Sequence, residues 1–268
     1  MDNTLKARPF GSTGLEFSPL GLGTVKIGRN ENVKNACADG FELPSDAQVE
    51  ELLDICVASG VNLLDTAPAY GIAEERLGKL LKHRRDDFVL MSKVGESFKD
   101  GVSSYDFTYE GTVKSVENSL RLLNTDVLDG VMVHCDHSEL DILANPVCLE
   151  ALQMLKERGD IKSFGWSSLS VAGGLKGLEL TDMVMVSINP SYTAEIEVVE
   201  QAAKMKKGIF IKKGLLQGHL NKIEGDAIQH CMDYAANLPG DVCIVAGTLN
   251  PEHLKSNIAK AALAWSKK

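Results

Sequence analysis

Hydrophobic residues recur along this chain with two spacings, and residues 45–67 contain both. One face of a helix is formed by Val49, Leu52, Leu53, Cys56 and Val57. Ser45 and Gln48 precede this run with the spacing of a capping box, so the pattern predicts a helix that begins at Ser45 and ends at Gly60. An apolar run over residues 62–67 follows directly and predicts a buried strand.

The same alternation continues through the chain. Eight apolar runs predict strands over residues 20–24, 62–67, 88–94, 127–135, 161–167, 183–189, 208–212 and 242–246. Helices are predicted over about 45–60, 74–83, 109–123, 145–159, 170–178, 194–205 and 226–237, and from Asn250 onward. Asn145 and Pro146 are expected as the N-cap and first residue of the fourth helix. Eight units without a linker predict one (β/α)8 TIM barrel domain over residues 1–268.

Residues 8–19 stand outside this alternation. Gly11, Ser12 and Gly14 separate short apolar pieces, which predicts a small β-hairpin that caps the bottom of the barrel. Residues 96–108 are predicted to form a short loop. The alternative fold is an open doubly wound sheet, which is disfavoured because no G-x-G-x-x-G motif follows the first strand.

Composition limits the partners that the protein can have. Its formal net charge is −9, which repels nucleic-acid backbones, so a small-molecule partner is expected. The six cysteines form no C-x-x-C pair, which argues against a zinc ribbon or a disulfide framework and fits the reducing cytoplasm. No apolar run approaches the ~18 residues that span a bilayer, so no membrane contact is expected.

Ionisable residues stand at the carboxyl ends of three neighbouring strands. Asp65 ends the second strand and Tyr70 follows it, Lys93 ends the third strand, and His134 ends the fourth. In a barrel all four would meet at the C-terminal face. A lysine ammonium stabilises a phenolate, so Tyr70 could exchange protons while His134 orients a carbonyl. Each residue alone could instead be structural, for example in a buried ion pair.

Two glycine-containing turns are candidates for binding phosphate. Residues 245–257 run from the last strand into a helix start, where free N–H groups of Thr248 and around Asn250 could face an anion. Residues 211–220 combine two lysines with two glycines, which suits a backbone cradle for a pyrophosphate. Each turn is equally consistent with an ordinary βα connection.

The segment His134-Cys135-Asp136-His137 raises a different kind of site, because all three residue types bind metals. Strand alternation would point His134 and Asp136 to one side and Cys135 to the other. No His-x-His stands at an earlier strand end. A metal-dependent barrel hydrolase is therefore a minor alternative, and no metal site is predicted.

Several segments resemble those of the aldo-keto reductases, in the same order over nearly the whole chain. They are RPFGSTGLEFSPLGLGT, NLLDTAPAYG with EERLGKLL, FVLMSKVG, VMVH and GTLNPEHLKSN. The resemblance implies a (β/α)8 barrel that binds NADPH, less often NADH, without a Rossmann fold and moves a hydride between the nicotinamide and a carbonyl carbon. It also implies Tyr70 as general acid, Lys93 and Asp65 as the groups that tune it, and His134 as the residue that orients the carbonyl.

The nicotinamide positions depart from the family pattern. Ser167-Ser168 stands where the family commonly has Ser-Asn for the carboxamide, and Met185 stands where a glutamine is usual. Lys212 corresponds to an aromatic residue that often stacks on the nicotinamide.

The adenosine end departs as well. Basic residues that bind the 2′-phosphate in many members correspond to Gly247 and His253, and loss of such a cation weakens the preference for NADP over NAD. Because Lys212, Lys213 and His253 can compensate, NADP(H) is favoured over NAD(H). The residues expected to bind the cofactor are Gly23, Thr24, Asp65, Ser167, Ser168, Lys212, Lys213, Gly214, Leu215, Gly218, Gly247, Thr248, Asn250, His253 and Asn257.

The expected substrate is a small carbonyl compound, bound at an open and shallow site in a monomer or weak homo-oligomer. Candidate lining residues are Val25, Tyr70, Phe98, Tyr105 and Trp166. The altered nicotinamide positions leave a second alternative, a barrel that binds the cofactor as a sensor or regulatory subunit with little turnover.

Overall fold

A computed structural model describes residues 4–33, 40–218 and 225–267 of the chain. Its strands are β1 (Arg8–Pro9), β2 (Glu16–Phe17), β3 (Leu20–Gly23), β4 (Leu63–Asp65), β5 (Val89–Val94), β6 (Glu96–Lys99), β7 (Val102–Tyr105), β8 (Gly130–His134), β9 (Phe164–Ser167), β10 (Met183–Ser187), β11 (Gly208–Lys212) and β12 (Val242–Ala246). Eight of them, β3, β4, β5 and β8 to β12, form a closed barrel of parallel strands in which β12 pairs with β3. The predicted (β/α)8 barrel is confirmed, and each barrel strand lies within or overlaps a predicted run.

The helices surround this barrel. They are α1 (Val25–Gly28), α2 (Asp46–Ala58), α3 (Ala73–Leu80), α4 (Tyr109–Leu123), α5 (Glu139–Ala144), α6 (Val147–Arg158), α7 (Val171–Leu180), α8 (Ile196–Lys204), α9 (Ala227–Ala236) and α10 (Pro251–Trp265). The predicted capping box of α2 is confirmed, because Ser45 and Gln48 each accept a hydrogen bond from the other's backbone N–H. The predicted start of α6 is wrong: Asn145 ends the additional helix α5, so Pro146 takes the N-cap position.

Strand residues alternate between the barrel interior and the surrounding helices, which explains why the strands are continuous apolar runs. Leu63 and Met91 belong to the cluster inside the barrel, whereas their neighbours Leu64 and Leu90 belong to the layer between strands and helices. Both faces of each strand are therefore buried, and polar residues are left for the strand ends.

The N-terminal hairpin of β1 and β2 closes the bottom of the barrel, as predicted. The ring centroid of Phe10 lies 4.5 Å from that of Phe17 and 4.5 Å from that of Phe210, a residue on β11. Phe10 is only 2% exposed. This aromatic cluster fills the end at which the strands begin, so a ligand can enter only from the opposite end.

A second hairpin, β6 and β7, stands at the C-terminal face after β5. The short loop expected over residues 96–108 is therefore wrong. The turn is formed by Asp100 and Gly101, both with positive φ, which matches the two-residue turn that joins antiparallel strands. No helix in the described part of the chain is long and apolar enough to cross a bilayer.

Candidate active site

Tyr70 is held by a tight turn at the end of β4. Pro68 begins a single turn of 3-10 helix that ends at Tyr70, and Gly71 follows with φ of 61°. A Cβ atom on Gly71 would lie 2.3 Å from the carbonyl oxygen of Gly28. Only glycine accepts both this backbone conformation and this contact, so the turn packs directly against the end of α1.

Asp65 and Lys93 meet beside this tyrosine. Lys93 Nζ donates to Asp65 Oδ1 at 2.7 Å and to the Thr66 carbonyl at 2.9 Å. The same Nζ lies 4.7 Å from the centroid of the Tyr70 ring. An ammonium has three protons, so one remains for Tyr70 after the two bonds to Asp65 and Thr66. The three residues predicted at the ends of β4 and β5 are thus brought together.

Burial and charge act against each other in this cluster. Burial would lower the pKa of Lys93, but the negative charge of Asp65 and the interaction with Tyr70 outweigh it and raise that pKa. Burial raises the pKa of the Tyr70 phenol, and the Lys93 ammonium opposes this rise without cancelling it. Lys93 is therefore a cation at neutral pH, and Tyr70 is a neutral phenol that still holds its proton.

His134, at the end of β8, is paired with an acid that sequence reasoning missed. His134 Nδ1 lies 3.0 Å from Glu96 Oε2, although the two atoms do not form a well-aligned hydrogen bond. Burial lowers the pKa of His134, Glu96 opposes this effect, and the nearby Lys93 adds to it. Glu96 could have been suspected from the sequence, because it is an acid two residues beyond the end of β5.

Glu96 remains ionised near His134. Burial alone would raise its pKa, but the close approach of His134, the hydrogen bond from Ser103 and the charge of Arg29 bring that pKa down to about 2. Ser103 Oγ donates to Glu96 Oε1 at 2.7 Å, from across the β6–β7 hairpin. The unexpected hairpin therefore holds a carboxylate against the predicted catalytic histidine.

Lys212 ends β11 and reaches across the barrel mouth to the loop after β9. Its Nζ donates to Ser167 Oγ at 2.9 Å and to the Ser168 carbonyl at 2.6 Å. The Ser168 hydroxyl is bonded to Glu195, a buried acid whose other oxygen accepts from Ser187 N–H at 3.0 Å. The two serines predicted to bind the carboxamide thus differ in their partners. The Ser167 hydroxyl accepts from Lys212, whereas the Ser168 hydroxyl forms a hydrogen bond with Glu195.

A groove of about 470 Å³ begins beside Lys212 and follows the ends of β11, β12 and β3. Eight of the residues expected to bind the cofactor line it, namely Lys213, Gly214, Leu215, Gly218, Gly247, Thr248, His253 and Asn257. Val25, a predicted lining residue of the substrate site, lies here instead. Loops after the last two strands therefore converge on one elongated cleft.

Two features of this groove fit a dinucleotide. Asn257 Oδ1 is buried and has no hydrogen-bond partner among the described residues, so it can accept from an amine of a bound base. A Cβ atom on Gly247 would lie 3.0 Å from the carbonyl oxygen of Gly23, so a side chain at this position would crowd the end of β3. A backbone-lined cleft with one unmatched polar atom is suited to a flat base and a phosphate chain.

The N–H groups near the start of α10 are less available than predicted. Asn250 caps the helix with its side chain, which accepts from the N–H groups of Glu252 and His253. Asn250 N–H itself donates to Thr248 Oγ1 at 3.1 Å. The expectation of free N–H groups around Asn250 is therefore wrong, because the cap satisfies them.

Thr24, another residue expected to bind the cofactor, joins two strand ends, and the candidates for lining the substrate site differ in exposure. Thr24 N–H and Oγ1 both lie 3.0 Å from the Asp65 carbonyl oxygen, and this fixes the end of β3 to the end of β4. Trp166 does not line the mouth, in contrast to the expectation, because it is fully buried and donates its Nε1–H to Glu139. Phe98 packs under the Arg29 guanidinium at 3.6 Å, and Tyr105 is 46% exposed.

The metal-binding alternative gains no support from the arrangement of ligands. Within residues 4–33, 40–218 and 225–267, no three His, Cys, Asp or Glu side chains are placed to hold a metal ion. Asp136 accepts hydrogen bonds from Ser138 instead. The five described cysteines are free and buried, and Cys37 lies outside the described residues.

Comparison with known proteins agrees with this architecture. The sequence profile of the Aldo/keto reductase family matches residues 19–211. The crystal structure of the Pseudomonas aeruginosa protein PA4992, assigned to the aldo-keto reductases, is 43% identical with a TM-score of 0.87, and the match covers 97% of each chain. An aldo-keto reductase from Bacillus halodurans shares the fold, with a TM-score of 0.76 at 21% identity over 98% of this chain and 96% of that one.

Curated relatives include the L-galactose dehydrogenase of Arabidopsis thaliana, 33% identical over 62% of this chain and 49% of its own length. An oxidoreductase of Bacillus subtilis, YqkF, is 30% identical over 62% of this chain and 49% of its length. The matched region therefore covers about half the length of these curated relatives.

Proposed function

The chain belongs to the aldo/keto reductase family, and from this premise we propose that it reduces an aldehyde or ketone to an alcohol with a nicotinamide nucleotide as the hydride donor. In this proposal residues 1–268 act as one domain, and the reaction is reversible. The observation that carries it is the cluster of Tyr70, Lys93 and Asp65 at the C-terminal face of the barrel, where a groove suited to a dinucleotide also opens.

Each member of the cluster has a part in moving one proton. The phenol of Tyr70 gives its proton to the carbonyl oxygen as the hydride reaches the carbonyl carbon, and the resulting phenolate is stabilised by the Lys93 ammonium. Asp65 keeps Lys93 charged and aimed by the bond at 2.7 Å. Because burial raises the pKa of Tyr70, the phenol is protonated at neutral pH, which suits the direction of carbonyl reduction.

His134 orients the carbonyl, and Glu96 determines how it can do so. The Glu96 carboxylate favours a proton on the facing Nδ1 of His134. A hydrogen bond from Nε2 to the carbonyl oxygen then requires a second proton on the ring. Burial disfavours that imidazolium, Glu96 stabilises it, and Lys93 and Lys212 oppose it, so the pKa of His134 is lowered and the ring of the free protein is mostly neutral at pH 7. In this proposal substrate binds with the protonated minority form of His134.

The groove would hold the nucleotide through residues of this chain. Asn257 Oδ1 would accept from the adenine amine, and Lys213 and His253 would lie near phosphates. These two side chains support the proposed preference for NADP(H) over NAD(H). When bound, the nucleotide supplies the hydride.

The test combines binding and turnover. Titration with NADPH and NADH by protein fluorescence, followed by NADPH oxidation with aromatic, aliphatic and sugar aldehydes, is carried out on the wild type and on Tyr70→Phe. We expect Tyr70→Phe to bind NADPH with unchanged affinity and to lose turnover by about 10³-fold. Tyr192→Phe is the matched control, because this tyrosine is 48% exposed and should leave both quantities unchanged.

Two outcomes would contradict the proposal in different ways. If the protein binds a nucleotide but shows no turnover that depends on Tyr70, the sensor or regulatory barrel is favoured. The altered contacts at Ser168 and Lys212 would give a reason for that outcome. Failure to bind either nucleotide would mean that the groove is not a cofactor site.

A further inference from the structure

Lys212 places a cation at the inner end of the cofactor groove. Its Nζ is fixed by Ser167 Oγ, at the end of β9, and by the carbonyl of the next residue, Ser168. The next residues along the chain, Lys213 and Gly214, line the groove itself. The Lys212 charge also acts on His134, so the ammonium lies near both the groove lining and one of the proposed catalytic residues.

No carboxylate pairs directly with this ammonium in the part of the chain that the structure describes. The two acids that raise the pKa of Lys212 are Glu195, directly before α8, and Glu139, on α5. Both accept hydrogen bonds from other donors. Cys135 after β8 and Lys213 beside it on the chain are the other ionisable groups that act on Lys212. The ammonium is thus held by neutral oxygens rather than by a counter-ion.

A partly buried cation without a counter-ion distinguishes the two redox forms of a nicotinamide. The oxidised ring carries a positive charge and the reduced ring is neutral, while the rest of the nucleotide is the same in both. In the proposed function a dinucleotide lies along the groove beside Lys213 and directs its nicotinamide to the barrel mouth, which brings the ring within range of the Lys212 charge. Repulsion between two like charges in a poorly solvated site is strong, whereas the neutral ring feels no such repulsion.

We propose that the Lys212 ammonium makes the site prefer reduced over oxidised nicotinamide nucleotide, by repelling the pyridinium ring of the oxidised form. This inference rests on the proposed function, because it requires a nicotinamide in the groove. It would favour release of the spent cofactor after carbonyl reduction and disfavour alcohol oxidation near neutral pH.

The effect should disappear when the amine loses its proton. Burial lowers the pKa of Lys212 to about 8, with Glu195 opposing the shift. Tyr70, Cys135 and His134 each keep one protonation state between pH 7 and 9.5, since burial raises the pKa of Tyr70 and Cys135 and lowers that of His134. Lys212 therefore changes charge within this interval while these three groups do not.

The test measures dissociation constants of NADP⁺ and NADPH by calorimetry at pH 7 and pH 9.5, and compares their ratio. In the wild type we expect the ratio of the NADP⁺ constant to the NADPH constant to fall about tenfold as the pH rises. In Lys212→Met the ratio should be about tenfold lower at pH 7 and independent of pH. Lys212→Arg, which keeps the charge at both pH values, should keep the high ratio throughout.

Two controls separate this effect from a general loss of affinity. Lys213→Met removes a neighbouring lysine that lines the groove and should weaken both forms equally, so that the ratio is unchanged. 2′-Phospho-ADP-ribose, which lacks the nicotinamide, should bind wild type and Lys212→Met with the same affinity.

A ratio that is equal in wild type and Lys212→Met, or that does not change with pH in the wild type, would overturn the inference while leaving the proposed function intact. Absence of binding by both nucleotides to the wild type would instead contradict the proposed function, and this inference with it. The wild-type pH comparison needs no variant, so the proposal remains testable if Lys212→Met does not fold.

Discussion

Asp129 at the bottom of the barrel and Lys212 at its mouth differ in how completely their charges are paired. At the bottom, Asp129 accepts from Arg85 at 3.0 Å, from Lys162 at 2.7 Å and from the Leu90 N–H at 2.8 Å. Each of these three contacts joins Asp129 to a donor, and the neighbouring hairpin covers the interior with Phe10. At this end charge and aromatic packing serve only to hold strands together.

At the mouth, several polar groups lack a full set of partners. Lys212 has no direct carboxylate partner among the described residues, and His134 Nδ1 and Asn257 Oδ1 lack well-formed hydrogen bonds. Unmatched buried groups cost free energy, so those at the mouth call for an explanation. A bound nucleotide and carbonyl substrate would supply partners there, whereas Asp129 at the bottom already accepts from three donors.

Asp65 and Lys93 lie at the mouth, yet their charges are paired as fully as that of Asp129 at the bottom. Breaking this ion pair should have the largest effect on stability and turnover. Lys93→Met leaves Asp65 buried without its cation, so the free energy of unfolding should fall by about 3 to 5 kcal/mol. The double variant Asp65→Asn with Lys93→Met removes the stranded charge and should recover part of this stability in urea unfolding. Turnover should remain lost in both variants.

The pair is assigned two roles, in stabilising the fold and in supporting proton transfer by Tyr70. A double variant no more stable than Lys93→Met would contradict the first role, and one that regains turnover would contradict the second. Normal stability and turnover in Lys93→Met would remove the pair from the site altogether.

The aromatic cluster at the bottom should affect stability alone. Phe10→Ala removes a ring that is 2% exposed and packed against Phe17 and Phe210, so the free energy of unfolding should fall by about 3 to 5 kcal/mol. Turnover per folded molecule should be unchanged at a temperature well below the unfolding midpoint. A large change in kcat for the folded variant would show that the two ends are coupled, contrary to the comparison.

Glu96 should give the smallest effect. Glu96→Gln removes the charge that favours a protonated His134, so kcat/KM should fall by about tenfold at pH 7. Because the pKa of His134 would drop, the alkaline limb of the pH profile should move to lower pH. Asp100→Asn, an exposed change in the same hairpin, is the control.

If Glu96→Gln lowered kcat/KM without moving the alkaline limb, a neutral His134 would be the active form and Glu96 would act only on its position. Nδ1 and Nε2 chemical shifts of His134 measured by NMR in both proteins would separate these two roles directly.

The sequence predicted the barrel because its strands are buried on both faces and therefore read as apolar runs. The helix start at Ser45 was equally clear, since its capping box uses residues only three apart. The β6–β7 hairpin was missed because its strands are polar and partly exposed, although the Asp100-Gly101 turn is a recognisable hairpin signal.

Within the candidate site, the residues at strand ends could be proposed from the sequence, whereas their partners could not. The contact of Lys212 with Ser167 joins residues 45 positions apart, and no local pattern indicates it. The burial of Trp166 was also unpredictable, because it depends on Glu139 of a helix that the sequence did not indicate. Contacts of this kind follow from tertiary packing alone.

The central claim is that the mouth of this barrel transfers a hydride from a nicotinamide to a carbonyl with Tyr70 as the proton donor. The most direct measurement follows deuterium from C4 of labelled NADPH into an aldehyde that the wild type accepts, with the products analysed by mass spectrometry. We expect one deuterium at the carbinol carbon of the alcohol, and about 10³-fold less labelled product with Tyr70→Phe. Alcohol formed without the label, or labelled equally fast by Tyr70→Phe, would contradict the account.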